Sequence, residues 1–320
     1  MHLKKEKFLF PSIGVIVAFL VVIAVFSVLS GRFFTLSTLG GILTITAELG
    51  TVALAVALLM ISGEFDLSVG SVYATAGIFL GMLLNHGVNA FLAFLAVLAL
   101  GLAIGFINGF ITTKIRIPSF ITTLGTMMAI RGLLLLATAG FPIAYRGHSF
   151  LLVLLNGKFA GEFRLSAIWV VVFLGLFAFL LNMTRHGNWT FAAGGNPLVA
   201  NALGVQVDKV KIINFLLTAA FASIAGMLSF ARFKMAYPTL GEEMGLETIA
   251  AAVLGGCYLS GGYGTIVGAF FGALVISSLR VGLVLAGAPS YWYKAFIGII
   301  LILGMIINKE VMKRVLRAGR

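Results

Sequence analysis

Charge is what this chain is shortest of. Asp, Glu, Lys and Arg make up only 10% of its 320 residues, against about 25% in soluble domains. A water-facing surface of ordinary polarity is thereby excluded. Cysteine occurs once, at Cys257, which excludes a disulfide within the chain and any thiolate metal cluster. The four histidines, His2, His86, His148 and His186, have neither metal-ligand spacing nor an evident nucleophile partner. No Gly-x-x-x-x-Gly-Lys-Ser/Thr stretch is present, so the chain by itself does not hold a nucleotide in the P-loop manner. No catalytic residue, metal or bound cofactor is therefore expected on this chain.

What is present is apolar and comes in long runs. Hydrophobic residues account for 61% of the chain, in stretches of roughly 18–24, the length that crosses a hydrocarbon core of about 30 Å. The pattern predicts an all-α fold, a polytopic transmembrane helix bundle forming one domain over residues 1–320. Ten spans fit: 8–30, 39–61, 68–85, 90–112, 119–139, 164–183, 210–231, 245–259, 263–285 and 292–308. The first follows Lys4, Lys5 and Lys7, but it is longer than a signal-peptide core and no small-x-small cleavage site follows, so it is read as a span. The eighth is short and glycine-interrupted, which suggests a broken helix. Residues 149–155 are too few to cross and read as a re-entrant or surface segment.

The net charge of +12 is dispersed rather than gathered on one face, so the partner it implies is membrane lipid and not nucleic acid. Positive charge is retained on the cytoplasmic side. Placing the N-terminus inside puts 13 of the 22 Lys and Arg residues on inner segments and 6 on outer ones, leaving Arg131, Arg280 and Lys294 in or beside spans. Both termini are then cytoplasmic.

Glycines repeat every four residues at Gly101, Gly105 and Gly109 and again at Gly264, Gly268 and Gly272. Each set shares a helix face and allows another backbone to approach closely, in the bundle or between subunits. Acidic residues at membrane depth are costly and face a cavity or a partner. Glu48 lies inside the second span and is assigned an interhelical hydrogen bond. Glu64, Asp66 and Ser68 between the second and third spans are pathway candidates, although Asp66 also suits the cap of a helix starting near Leu67. Glu242, Glu243 and Glu247 face either an external partner or solvent at a helix start. Residues 62–71 echo residues 260–269 at an offset of 198, either an internal repeat marking a pathway or two glycine-rich helix starts alike by chance.

The longest inner loop, 184–210, is the most informative stretch. Asn196 offers a capping oxygen, Pro197 fits the first helical position, and Gly204 supplies a stop after Leu203. A short helix of mostly small residues, with Ala200 and Ala202 along it, is predicted here. It reads equally as a knob for another protein's groove and as an ordinary surface helix.

Three segments resemble one family. Glu64-Phe65-Asp66-Leu67-Ser68-Val69-Gly70 is similar to the Ile-Asp-Leu-Ser-Val-Gly signature of ribose-type sugar permeases in bacterial binding-protein-dependent ABC importers. Gly194-Gly195-Asn196-Pro197, with Ala202-Leu203-Gly204, resembles their cytoplasmic coupling segment. Leu254-Gly255-Gly256 and Gly261 through Ala269 resemble their C-terminal glycine-rich signature. The likeness runs from about residue 40 to 310, in the family's order. Glu64-Phe65 stands where Gly-Ile is commoner, which weakens any transfer of fine substrate preference.

The resemblance implies a permease in the bacterial inner membrane, working as a homodimer or with a paralogue. A separate cytoplasmic ATPase, carrying ATP and Mg, would dock on the coupling segment. An extracytoplasmic sugar-binding protein would deliver a monosaccharide. The rival from the residues alone is an ion-coupled secondary transporter using Glu48, Glu64 and Asp66.

Overall fold

The computed structural model describes residues 10–289, 291–300 and 302–303. His2, the N-terminal lysines, the end of the tenth predicted span and the basic C-terminal tail lie outside the described residues. The helices are α1 (Phe10–Leu29), α2 (Leu36–Ile61), α3 (Val69–Asn85), α4 (Ala90–Phe110), α5 (Ser119–Thr138), α6 (Phe150–Asn156), α7 (Leu165–Met183), α8 (Arg185–Gly195), α9 (Pro197–Ala202), α10 (Val207–Phe233), α11 (Met244–Leu254) and α12 (Ile266–Leu285). A π-helical turn, Ile111–Ile115, extends α4, and residues 292–300 are helical again. Two antiparallel strand pairs, β1 (Ile143–Ala144) with β4 (Met235–Ala236) and β2 (Lys158–Ala160) with β3 (Phe163–Arg164), lie at one end.

Six helices are long and apolar enough to cross a membrane: α2, α4 with its π turn, α5, α7, α10 and α12. Shorter apolar helices are α3, α11 and residues 14–29 of α1. At 1.5 Å per residue, the 11 residues of α11 reach about half of a 30 Å core. The eighth predicted span is thus a half-length helix ending at Leu254, and residues 255–259 are not part of it. Ser149–Leu155 becomes the seven-residue α6, again too short to cross.

Helix α2 is the axis. Every residue from Thr46 to Ile61 is buried, as expected of a helix apolar on all sides, and α7, α10, α11 and α12 pack around it. By contrast, α5 exposes Phe120, Ile121, Met128, Leu133 and Leu136. In a bilayer such a face meets lipid or another protein. Both glycine sets work inside the protomer. A Cβ on Gly105 would stand 2.7 Å from the Phe215 carbonyl oxygen on α10, and one on Gly109 3.1 Å from Ile212 Cα. Gly101 likewise faces Ser223 on α10. On α12, Gly268 and Gly272 face the carbonyls of Gly255 and Ala251, while Gly264 sits against Cys257 and Ile61.

One expectation needs correcting. Residues 185–195, read as loop, form α8. Thr184 caps it by accepting a hydrogen bond from the Gly187 amide at 3.2 Å. Its three glycines, Gly187, Gly194 and Gly195, disfavour helix on propensity. Tertiary packing overrides that preference, because the helix end fits only where there is no Cβ.

Candidate coupling surface and polar cavity

Helix α9 follows the chemistry of its sequence. Asn196 is extended (φ −154°) and its Oδ1 accepts from the Val199 amide at 3.1 Å. Pro197 occupies the first turn. Gly204 adopts φ +86°, a left-handed conformation that glycine enters without Cβ strain, and the Val205 amide then donates to the Ala200 carbonyl at 3.0 Å. Ala200 is buried with Ala193, Val207 and Val210. Ala202 is exposed, as are Leu198 (82%) and Leu203 (78%). The helix is pinned by one small residue and presents an apolar tip.

The root of this tip is a junction of glycine backbones. A Cβ on Gly194 would overlap the Ile61 carbonyl oxygen, at the end of α2, and stand 2.6 Å from the Gly262 nitrogen. One on Gly261 would lie 2.7 Å from Gly63 Cα, and one on Gly262 2.7 Å from Gly195 Cα. The Gly262 amide donates to the Ile61 carbonyl at 2.8 Å. The two echoing segments, 62–71 and 260–269, therefore meet each other and both touch α8. Each also leads directly into a helix, α3 or α12.

Around this junction the acidic signature is tied down. Lys211 pairs with Glu64 at 2.5 Å, both side chains largely buried. Asp66 Oδ1 accepts from the Ser68 amide (2.8 Å) and hydroxyl (2.5 Å). Asp66 is thus turned to the residue before α3 rather than to its first-turn amides, because α3 starts two residues later than the pattern suggested. Asn108 Nδ2 donates to Ser68 Oγ (2.9 Å), and Thr126 donates to Asn108 Oδ1 (2.7 Å). The Phe65 and Leu67 amides donate to Ser119 Oγ (3.2 Å) and Thr123 Oγ1 (3.1 Å) on α5. Burial of Asp66 pushes its carboxyl up to about 6, against the lowering by the Ser68 hydroxyl and amide. Ser68 with the Phe65 and Leu67 amides thus holds α4 and α5 to the α2–α3 connection, and Glu64 ties that connection to α10.

Glu48 belongs elsewhere, near the end that carries the strand pairs. Tyr73 on α3 donates to Glu48 Oε2 at 2.9 Å, which is the expected interhelical bond. Arg232, at the end of α10, pairs with Oε1 at 3.3 Å. A second pair, Glu247 on α11 with Arg280 on α12, lies beside it, and Arg280 also stacks over the Tyr293 ring, 4.5 Å from its centroid. Glu247 is buried, so neither the solvated nor the external-partner reading describes it. Glu243 pairs with Lys294 at 2.6 Å. Glu48, Tyr73, Arg232, Glu247 and Arg280 line a cavity of about 500 Å³, closed along one side by residues 237–244. Arg131 of α5 donates to the carbonyls of Pro238, Leu240 and Gly70 and so holds that wall.

The functional reading of Tyr73, Arg232, Glu247 and Arg280 was not made from sequence. The available signal was Arg280 inside a span, because a guanidinium at that depth requires an acidic partner. Among the described residues no group of His, Cys, Asp and Glu is arranged to hold a metal ion.

Residues 38–305 match the family described as "Branched-chain amino acid transport system / permease component". The chain is 36% identical over 304 residues to the ribose import permease protein RbsC of Escherichia coli (strain K12), covering 92% of each chain. It is 34% identical over 287 residues to the xylose/arabinose import permease protein XylH of Sulfolobus acidocaldarius, covering 87% of this chain and 79% of that one. It is 33% identical over 303 residues to the autoinducer 2 import system permease protein LsrC of Photorhabdus luminescens, covering 92% and 89%. No solved structure matches the chain. The match spans α2 to residue 305, taking in α8 and α9, the glycine junction and the cavity. The chain is a non-catalytic, multi-pass inner-membrane protein, and it belongs to this family of transport-system permease components.

Proposed function

We propose that this permease translocates a monosaccharide or a similar small polyhydroxylated solute, powered by a separate cytoplasmic ABC ATPase that carries the ATP and Mg. Two copies, or this chain and a paralogue, form the working unit, and an extracytoplasmic sugar-binding protein delivers the solute. Both termini face the cytoplasm, with the α8–α9 end. The observation that carries the reading is the build of that end: an exposed apolar tip, Leu198 and Leu203, on a root that touches two helix-leading loops backbone to backbone. A push on the tip has no flexible side chain to absorb it before it reaches α2, α3 and α12. The ATPase must bind the inward- and outward-facing states with different affinity for such a push to shift their populations. For the solute, support comes from relatives named for ribose, xylose/arabinose and autoinducer 2. The family's general description names branched-chain amino acids, and the charged lining of the cavity favours the polyhydroxylated class over an aliphatic side chain.

The ion-coupled alternative draws no support from the carboxylates. Glu48 and Glu64 each hold a cationic partner, and Asp66 is sealed behind Ser68. Proteoliposomes decide between them. Uptake of labelled ribose or xylose should require the permease, ATPase, internal ATP and binding protein together. Leu198→Asp should release the ATPase on co-purification while binding-protein docking is retained. Gradient-driven uptake by the chain alone, or labelling of α9 from outside the cell, would refute the proposal.

A further inference from the structure

The cavity walled by α2, α3, α10, α11 and α12 takes no part in the proposed coupling through α8 and α9. We propose that it is a solute-binding site contained in a single protomer, selective for uncharged polyhydroxylated molecules of monosaccharide size. This rests on the importer reading above and adds where the solute pauses and which charge class is admitted.

Three features carry it. First, size: about 500 Å³ lies within the 300–1,000 Å³ typical of small-molecule sites. Second, donor and acceptor geometry. Glu48 with Arg232, and Glu247 with Arg280, set planar carboxylates beside planar guanidiniums. A sugar hydroxyl both donates and accepts, so adjacent hydroxyls can bridge the two members of such a pair. Tyr73, bonded to Glu48, keeps that carboxylate oriented. Tyr237, 40% exposed on the cavity wall, offers an aromatic face to the apolar side of a ring.

Third, charge. The lining holds four carboxylates, Glu48, Glu242, Glu243 and Glu247, but two guanidiniums, Arg232 and Arg280. Both guanidiniums are already paired. Glu243 is paired too, with Lys294 outside the lining, so an anion entering here meets one surplus carboxylate, Glu242, and no uncommitted cation in the lining, whereas a neutral polyol meets no charge of its own sign. Phosphorylated sugars are excluded on this ground. The fixed wall at 237–244 gives the site a definite shape, since Arg131 on α5 donates to two of its carbonyls, Pro238 and Leu240, and to the Gly70 carbonyl at the start of α3.

The test joins transport to site protection. The reconstituted importer is first given D-ribose, D-xylose, L-arabinose and D-galactose to find a transported sugar. Ile45→Cys and Thr239→Cys, both in the cavity lining, are then alkylated with maleimide in nanodiscs. Leu198→Cys on α9 serves as reference, and the parent chain, whose Cys257 is buried, supplies the background. At ten times its dissociation constant, the transported sugar should slow alkylation of both cavity cysteines about tenfold by mass action, leaving Leu198→Cys unchanged. Ribose 5-phosphate and leucine should have no such effect. Tyr237→Ala, on an exposed loop, should raise the sugar concentration needed by up to about tenfold. Transport of a sugar with unslowed cavity labelling overturns this site alone. Equal protection by ribose 5-phosphate overturns its selectivity. Failure to transport any neutral sugar overturns the importer reading, and the site with it.

Discussion

The two ends of the bundle are held together by opposite means. At the α8–α9 end, Gly63, Gly194, Gly195, Gly261 and Gly262 bring three backbones into contact with no side chain between them. At the other end, Glu48, Arg232, Glu247 and Arg280 bridge helices through long side chains around a cavity. Backbone contact between glycines is short and stiff, so movement of one segment displaces the next. Long ion-paired side chains can change rotamer and exchange partners, so the same helices can separate or accept a solute without steric clash. The difference fits the proposed coupling, in which a push is received at one end and the other end opens.

The comparison can be broken by adding side chains where there are none. Gly194→Val places branched carbons against the Ile61 carbonyl and the Gly262 amide. Overpacking of this kind costs about 3 kcal/mol, enough to lower the population of the productive arrangement about 100-fold. ATP-driven uptake should fall accordingly while binding-protein docking persists. Unchanged uptake would mean the junction is not in the drive path.

Unpairing the other end should have a somewhat smaller effect. Glu247→Gln leaves Arg280 facing a neutral amide. Breaking a fully buried pair costs about 3–5 kcal/mol, and the 38% exposure of Arg280 reduces this to about 2 kcal/mol. The double variant Glu247→Gln/Arg280→Met should recover most of the loss in a thermal-melting series in detergent. A double variant no more stable than the single one would show that the pair is not the source.

Smaller still is the cap of α9. Asn196→Ala removes the bond to the Val199 amide and should cost about 1 kcal/mol locally. ATPase retention is expected to drop several-fold with little change in melting temperature. At the bottom of the scale, Asp208→Asn breaks an exposed pair with Lys114, both side chains about half exposed. Its stability change should stay under about 0.5 kcal/mol. A larger shift would show that exposed pairs at this end matter as much as the buried ones opposite.

Much of this was legible in advance because bilayers constrain sequences strongly. Runs of apolar residues required helices, and α2, α4, α5, α7, α10 and α12 lie where those runs placed them. The Asn196, Pro197 and Gly204 signals are local, each acting within one helical turn, and α9 follows them. Helix α8 was missed because its glycines are helical for a reason outside their own segment. The cavity was missed because its residues are far apart in the chain: Arg232 lies 184 positions from Glu48, and Arg280 lies 33 from Glu247.

By itself, then, the sequence determined that this is an all-helical membrane protein with a capped, exposed helix on a connection between spans. Apolar run length and capping chemistry act locally and need no knowledge of neighbours. Only the tertiary structure decided which carboxylate met which cation, that the two echoing loops close on each other, and that the glycine ridges serve α10 and α11 within the protomer. Those outcomes depend on which helices become neighbours, and a one-dimensional pattern carries no such distances.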